Sequence, residues 1–236
     1  MRNRGIILAV AMLIGFACHA QRTFVAASSQ WAQGAWTDSG TQTWSVWLQI
    51  AATNATLPAV GTTRGWVGDN HYRLLFYSSG LLLFSERDGG SPRSSISNTL
   101  PVINSWMHLG ARFIGATNRI LWVNGTACAV DTNLVSPTSL DEVYIGRIRT
   151  STSPYHFGGK IAEPAIWNAA LTDAEISQLA SGGVFTKRTH PYRIRPNDLM
   201  WCPDLTIPGA AVPGVGGITQ ISNSPAYTPV LPAPFK

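Results

Sequence analysis

The chain has 236 residues, 45% of them hydrophobic and only 12% charged, with 22 Gly, 15 Pro and a formal charge of +5. That balance excludes a disordered tail, and the length can bury a full core without metals or many disulfides. Arg and Lys are scattered singly apart from Lys187-Arg188 and the pair Arg193 and Arg195, so no basic stripe points to nucleic acid.

The N-terminus reads as an export signal. Basic Met1 to Arg4 precedes an apolar run, Gly5 to Ala17, and the small-residue site Cys18-His19-Ala20. The run is short of the roughly 20 residues that a membrane-crossing helix needs, and no later stretch approaches that length, so no membrane span is expected. Cleavage after Ala20 is expected, with residues 1–20 as signal peptide and a mature chain beginning at Gln21. Lipid attachment at Cys18 and retention of the segment as a buried strand are the alternatives. Processing leaves 15 Lys and Arg against 12 acidic residues, a net of +3. Export leaves Cys128 and Cys202 in an oxidising compartment, where a disulfide between them is the simplest expectation and two separately buried thiols are the alternative.

Short strands punctuated by turns follow. Thr43 to Ile50 puts Trp44, Val46, Leu48 and Ile50 on one face, the period of two of a half-buried strand. Tyr72 to Tyr77 and Leu81 to Ser85, separated by Ser78-Ser79-Gly80, read as a hairpin. Trp106 to Phe113 alternates again, with Met107, Leu109, Ala111 and Phe113 together and His108 pointing outward. Arg119 to Val123 and Thr126 to Val130 flank Asn124-Gly125, which tolerate the positive φ angles of a type I′ turn. Trp44, Trp106, Trp122 and Trp167 lie within strands and are expected in the core.

One helix signal stands late. Thr172 can cap the first-turn N–H groups while Glu175 reaches back to the cap, Leu171 and Ile176 supply a hydrophobic staple, and Gly182-Gly183 offers a left-handed stop. A short helix from about Asp173 to Ala180 is predicted. Pro196 to Pro203 reads as a closing strand. Residues 208–236, with six Pro and four Gly, read as an extended arm, able to lie over a neighbouring subunit in an oligomer or to wrap its own domain. The pattern as a whole predicts an all-β sandwich or barrel over 21–207.

The later elements resemble a family. The strand opening at Trp106, the hairpin Leu121-Trp122-Val123-Asn124-Gly125, the strand end Tyr144-Ile145-Gly146, and Phe157-Gly158-Gly159-Lys160-Ile161-Ala162-Glu163 running into Ile166 to Ile176 are similar to the laminin-G-like, concanavalin A-like lectin/glucanase jelly roll. Arg22-Thr23-Phe24 and the Trp44 strand suit that family's opening strands more loosely. The chain departs from the pattern at Ala162, where Asp is usual, and at Pro164, which removes a ladder donor and marks an edge or bulge. The resemblance implies two antiparallel sheets packed face to face. It leaves the function to be argued from a site, since the superfamily holds lectins, hydrolases and adhesion modules.

The superfamily's hydrolases carry their acids as E-x-D-x-x-E on one strand, and no such stretch exists here. Asp141-Glu142 would face opposite ways in a strand, Asp173 and Glu175 are explained by capping, and Glu163 occupies a structural acidic position of the family. The five histidines lack H-x-x-x-H spacing, and there is no G-x-S-x-G elbow. The expectation is a non-enzymatic, carbohydrate-binding or adhesion module, secreted or at a cell surface, with a glycan or cell-surface polymer as partner. A structural or display protein of a cell surface or virion is the alternative, and a hydrolase with an unrecognised site comes last. Ligand contact is expected in turns, at Trp66 with Asp69, Asn70 and His71, and at Tyr155 and His156 with Arg147 and Arg149 nearby. No cofactor is called for. Calcium at Asp69 and Asn70 is the weaker reading beside an ordinary turn.

Overall fold

The computed structural model describes residues 21–24, 31–37, 40–52, 57–63, 71–76, 82–88, 91–97, 101–132, 139–148, 155–181, 190–203, 205 and 218–222. Two seven-stranded antiparallel sheets carry the chain. The first contains β1 (Gln21–Phe24), β3 (Gln42–Ile50), β8 (Trp106–Phe113), β9 (Arg119–Val123), β10 (Thr126–Asp131), β14 (Gly159–Trp167) and β15 (Leu199–Trp201). Its order is β1-β14-β3-β8-β9-β10, with β15 also paired to β14. The second contains β2 (Trp31–Ala35), β4 (Leu57–Thr63), β5 (His71–Phe76), β6 (Leu82–Asp88), β7 (Ser91–Ser97), β11 (Glu142–Ile145) and β16 (Ile218–Ser222), in the order β16-β2-β11-β4-β5-β6-β7. A small ladder pairs β12 (Arg147–Ile148) with β13 (Tyr155–His156), and one helix, α1, spans Asp173–Ala180. This is an all-β jelly-roll sandwich. Among the described residues, no helix is long and apolar enough to cross a membrane.

The alternating residues meet between the sheets. Trp44, Val46, Leu48 and Ile50 of β3 join Met107, Leu109, Ala111 and Phe113 of β8 and Leu121 and Val123 of β9, against Ala32, Val60, Val143 and Ile145 of the second sheet. Trp44 keeps its indole N–H satisfied in this apolar space by donating to Gln42 Oε1 at 2.8 Å. At one end of the inner face, buried Arg119 donates through Nη2 to Asp131 at 3.2 Å and through Nη1 to the Ala116 carbonyl. Each charge is thus paired where it would be costly alone.

The outer face of the first sheet departs from the expected alternation. Thr43, Ser45, Trp47 and His108 point away from the inner core yet are 0%, 4%, 4% and 0% exposed. Two outer clusters are the reason: Ile120, Trp122, Ala165 and Trp167 pack under Leu171, Ile176 and Leu179 of the helix region and Ile194, Leu199 and Cys202 beyond it, and Trp47 packs with Ala162 and Trp106, its ring edge-on to His108. Burial of Trp44, Trp122 and Trp167 agrees with the sequence reading, whereas Trp106 stays half-exposed. His108 is outward but covered, and hydrogen-bonds Ser45 Oγ through Nε2 at 2.8 Å.

Local signals account for the joints. Asn124 and Gly125 adopt φ of 49° and 78°, as the β9–β10 turn requires, and Asn124 Oδ1 accepts from the His108 amide at 2.8 Å. Pro164 falls in a bulge of β14 between Ala162 and Ala165, with Glu163 at φ 47°. Buried Glu163 faces His190 at 3.8 Å. The helix is fixed by a full capping box, since Thr172 N donates to Glu175 Oε2 at 2.7 Å and Glu175 N to Thr172 Oγ1 at 3.3 Å. It ends on Ser181 in extended conformation, and Gly182-Gly183 lie outside the described residues.

The arm and the cysteines bear on two readings that had alternatives. Ile218–Ser222, inside the segment read as an extended arm, forms β16 and adds to the sheet beside β2, so that part of the arm serves its own domain. Cys128 and Cys202 are not joined in a disulfide: Cys128 packs against the inner core from β10, while Cys202 lies in the outer core on the other side of the first sheet. The sheet between the two cores keeps the thiols apart, and the disulfide reading is corrected to two separate thiols.

The helix start generates the first prediction. Arg195 clamps Glu175 by Nε to Oε1 at 2.7 Å and Nη2 to Oε2 at 2.9 Å. That guanidinium, with the capping bonds of Thr172, holds the Glu175 carboxyl below its usual 4.5 against the opposing effect of burial. A depressed folded value means that the contribution to stability is complete above about pH 4.5 and is lost as pH falls through the folded value. Denaturant unfolding from pH 6 to 3 should therefore show a shallower acid decline for Glu175→Gln than for the wild type. At neutral pH, Thr172→Ala should lose about 0.5–2 kcal/mol with an unchanged slope. For the cysteines, alkylation of protein unfolded without reductant, followed by peptide mapping, should find both Cys128 and Cys202 modified.

Candidate functional site

The outer face of the second sheet gathers polar side chains in a fixed row. On β2, Ala32 points into the core, so Trp31 and Gln33 face outward, and on β11 Val143 and Ile145 point inward, leaving Glu142 and Tyr144 outward. Gly146, at φ 79°, ends β11 and turns Arg147 back over the face. The Arg147 guanidinium stacks on Trp31, 3.2 Å from the ring centroid, and donates through Nη2 to Gln33 Oε1 at 2.7 Å. Gln33 Nε2 in turn donates to Glu142 Oε1 at 2.8 Å. The amide thus spends its acceptor on a cation and its donor on an anion, which fixes its orientation.

Two further contacts rigidify this face. Tyr144 is buried across Gly61 of β4, where a Cβ would lie 2.3 Å from the phenol oxygen, so only glycine lets the ring settle on the strand. The β12–β13 ladder sets half-buried His156 opposite Arg147, anchored by Phe157 N donating to Gly146 O at 2.8 Å. The result is a line of carboxylate, amide and guanidinium laid over an indole, with an imidazole at the rim. Arg147 and Trp31 are themselves buried, at 8% and 9% exposure, and hold the half-buried Gln33 in place, so a polar ligand would meet Glu142, Gln33 and His156 at set positions.

The sequence candidates divide between two ends of the fold. Trp66, Asp69 and Asn70 lie outside the described residues, and His71 opens β5 opposite Thr63. Tyr155 pairs with Ile148 in the small ladder, and Arg149 lies outside the described residues. Because β11 sets Glu142 against Thr63 and Ile145 against Val60, the chain from Arg147 onward continues toward the Leu57 end of β4. His71 and His156 are therefore at opposite ends of that strand, roughly 20 Å apart, and do not form one site. Sequence reasoning reached Arg147 and His156 but missed Trp31, Gln33 and Glu142. The available signal was the i, i+2 spacing of Trp31 and Gln33, which puts an aromatic and an amide on one face.

Elsewhere four carboxylates carry structural tasks. Asp131 pairs with Arg119, Glu163 faces His190, Asp173 receives Arg112 at 2.6 Å and Glu175 closes the helix cap. The Ser45–His108 contact has the length of a nucleophile–base pair, but both members are sealed beneath the outer core. Among the described residues, no group of three or more His, Cys, Asp or Glu could hold a metal ion.

A family model described as the concanavalin A-like lectin/glucanases superfamily matches residues 24–177. No curated protein sequence matches. Among solved structures, the native heptameric SAP-like pentraxin from Limulus polyphemus aligns with a TM-score of 0.58 at 14% identity, covering 70% of this chain and 82% of that one. The CBM40 of the Ruminococcus gnavus IT-sialidase, bound to α2,3-sialyllactose, gives 0.51 at 15% identity, over 68% of this chain and 98% of the module. Domain 4 of the extracellular GH43 arabinanase from Geobacillus stearothermophilus, in complex with arabinotriose, gives 0.52 at 15% identity, with 62% and 71% covered. At these identities the likeness is one of fold.

Proposed function

We propose that this chain, which belongs to the concanavalin A-like lectin/glucanase superfamily, is an exported glycan-binding module that performs no chemistry on the sugar it holds. The observation that carries the reading is the Glu142–Gln33–Arg147 row over Trp31, with His156 opposite Arg147. Sugars present hydroxyls that both donate and accept, and a line of carboxylate, amide and imidazole offers partners of both kinds at fixed spacing. Two proteins of this fold are a module bound to sialyllactose and a domain in complex with arabinotriose.

His71, at the Thr63 end of β4, is proposed together with Trp66, Asp69 and Asn70 as a separate ligand contact. The absence of the superfamily's E-x-D-x-x-E stretch supports a binding role over hydrolysis. Export rests on the charged start, the apolar run and the small residues ending at Ala20.

Calorimetric titration of the exported protein against a panel of oligosaccharides, with reducing-end release measured on the same samples, tests the reading. At least one glycan should bind without being cut, and Arg147→Gln should weaken it about tenfold, the loss of one charge-assisted hydrogen bond. Trp66→Ala should weaken a ligand that reaches that separate contact and leave the fold intact. Release that disappears in Glu163→Gln would make the protein a hydrolase, and silence across the whole panel would remove the glycan reading. N-terminal sequencing should find Gln21 first.

A further inference from the structure

The helix and the segment after it cover only part of the outer face of the first sheet, over Trp122, Ala165 and Trp167. Toward the other end, the strand register sets Lys160 of β14 opposite Gln49 of β3, and Gln49 opposite Trp106 of β8. Their neighbours Ile161, Leu48 and Met107 point into the inner core, so all three face outward, and all three are half-exposed. Adjacent strands lie about 4.8 Å apart, which makes the row about 10 Å wide at the backbone, near the length of a disaccharide.

The row is held in place. Trp106 packs against the buried pair Trp47 and Ala162, which supports one side of the indole. Gln49 Nε2 donates to the Asn104 carbonyl at 2.7 Å, and Asn104, at φ 60°, is itself tied by its amide to Ile50 O at 2.8 Å. With the donor end committed, the amide is oriented and its Oε1 is left as acceptor. Packing on Trp47 accounts for the buried part of Trp106. It does not account for the exposed part, or for an oriented amide and a lysine aligned with it across three strands.

Lysine is scarce in this chain, with Lys160, Lys187 and Lys236 its only three, and the remaining 14 cations are arginines. A neutral sugar would need the aromatic and the amide but not the ammonium. A single strand of nucleic acid would need a continuous cationic track for its phosphates, and this row holds one cation. An aromatic, an acceptor and one point charge in register on three adjacent strands match a saccharide that carries a carboxylate on one ring and an apolar ring face on the next.

We propose that Lys160, Gln49 and Trp106 form a second ligand site, on the opposite side of the sandwich from Arg147, that takes a uronate-containing saccharide. The carboxylate meets Lys160, a hydroxyl donates to Gln49 Oε1, and the adjoining pyranose stacks on Trp106.

The test uses the full exported chain with a tetragalacturonate, its methyl ester, cellotetraose and oligo(dT) as probes. Tetragalacturonate should bind more tightly than its ester, and Lys160→Gln should abolish that preference. Trp106→Ala should weaken binding about tenfold. Carbodiimide coupling of the bound uronate to protein amines, read by peptide mapping, should label Lys160 in preference to Lys187 and Lys236. This positional readout needs no variant to fold, and it separates the site from the Arg147 face, which has no lysine in its row. Equal binding of acid and ester, labelling spread over the three lysines, or displacement by oligo(dT) would each overturn the proposal.

Discussion

The hydroxyl of Thr43 donates to the Ala169 carbonyl at 2.7 Å and accepts from the Leu171 amide at 2.9 Å, and much of the outer architecture hangs from those two bonds. Thr43 is fully buried on β3, where an unpaired hydroxyl would be costly. By pairing both ways it pins the loop that follows β14 to the sheet and delivers Leu171 into the outer core. Arg112 reinforces the joint from β8, donating to the Leu171 carbonyl at 3.0 Å and to Asp173 while lying over Trp122 at 5.3 Å. The helix therefore has one place to start, and its apolar side closes on Trp122 and Trp167.

That closure divides the first sheet's outer face into two environments. Under the helix, side chains that alternation assigns to solvent become core, and Trp167 must find a partner for its indole N–H in the Ile194 carbonyl at 2.7 Å. Beyond it, Lys160, Gln49 and Trp106 stay half-exposed on the same strands. One strand thus carries both core-type and surface-type residues on a single face, which a period-two pattern alone cannot express.

What the sequence made legible follows from the range over which each interaction acts. The capping box, the Asn124-Gly125 turn and the bulge at Pro164 are set by residues within four positions of one another, and each forms where the residues indicate. The inner core was legible because Trp44, Val46, Leu48 and Ile50 alternate and a sheet can bury only one such face against its partner. The outer core was not, because Trp122 and Trp167 are joined to Ile194 and Leu199 only by the return of the chain. The same limit separates Arg147, found through its neighbours in sequence, from Gln33, which is 114 positions away. The cysteines illustrate it too: an even count suggested a pair, and the sheet lying between them prevents one.

A sandwich has two outer faces, and here they differ in kind. The second sheet carries a guanidinium, an amide and a carboxylate bonded to one another, whereas the first carries an ammonium in line with an amide and an indole. If both proposed sites are used, one chain grips two saccharides on opposite sides and no single small ligand can span them. The gain is then in cross-linking: a polymer that meets both faces on neighbouring modules raises its own effective concentration at the second contact without any new bond. Incorporation of β16 into the second sheet fits this arrangement, because it keeps Ile218–Ser222 at the β2 edge and out of the first sheet. Both faces are then displayed by one sandwich with a shared inner core, so the spacing of ligands on the polymer sets which modules it can join.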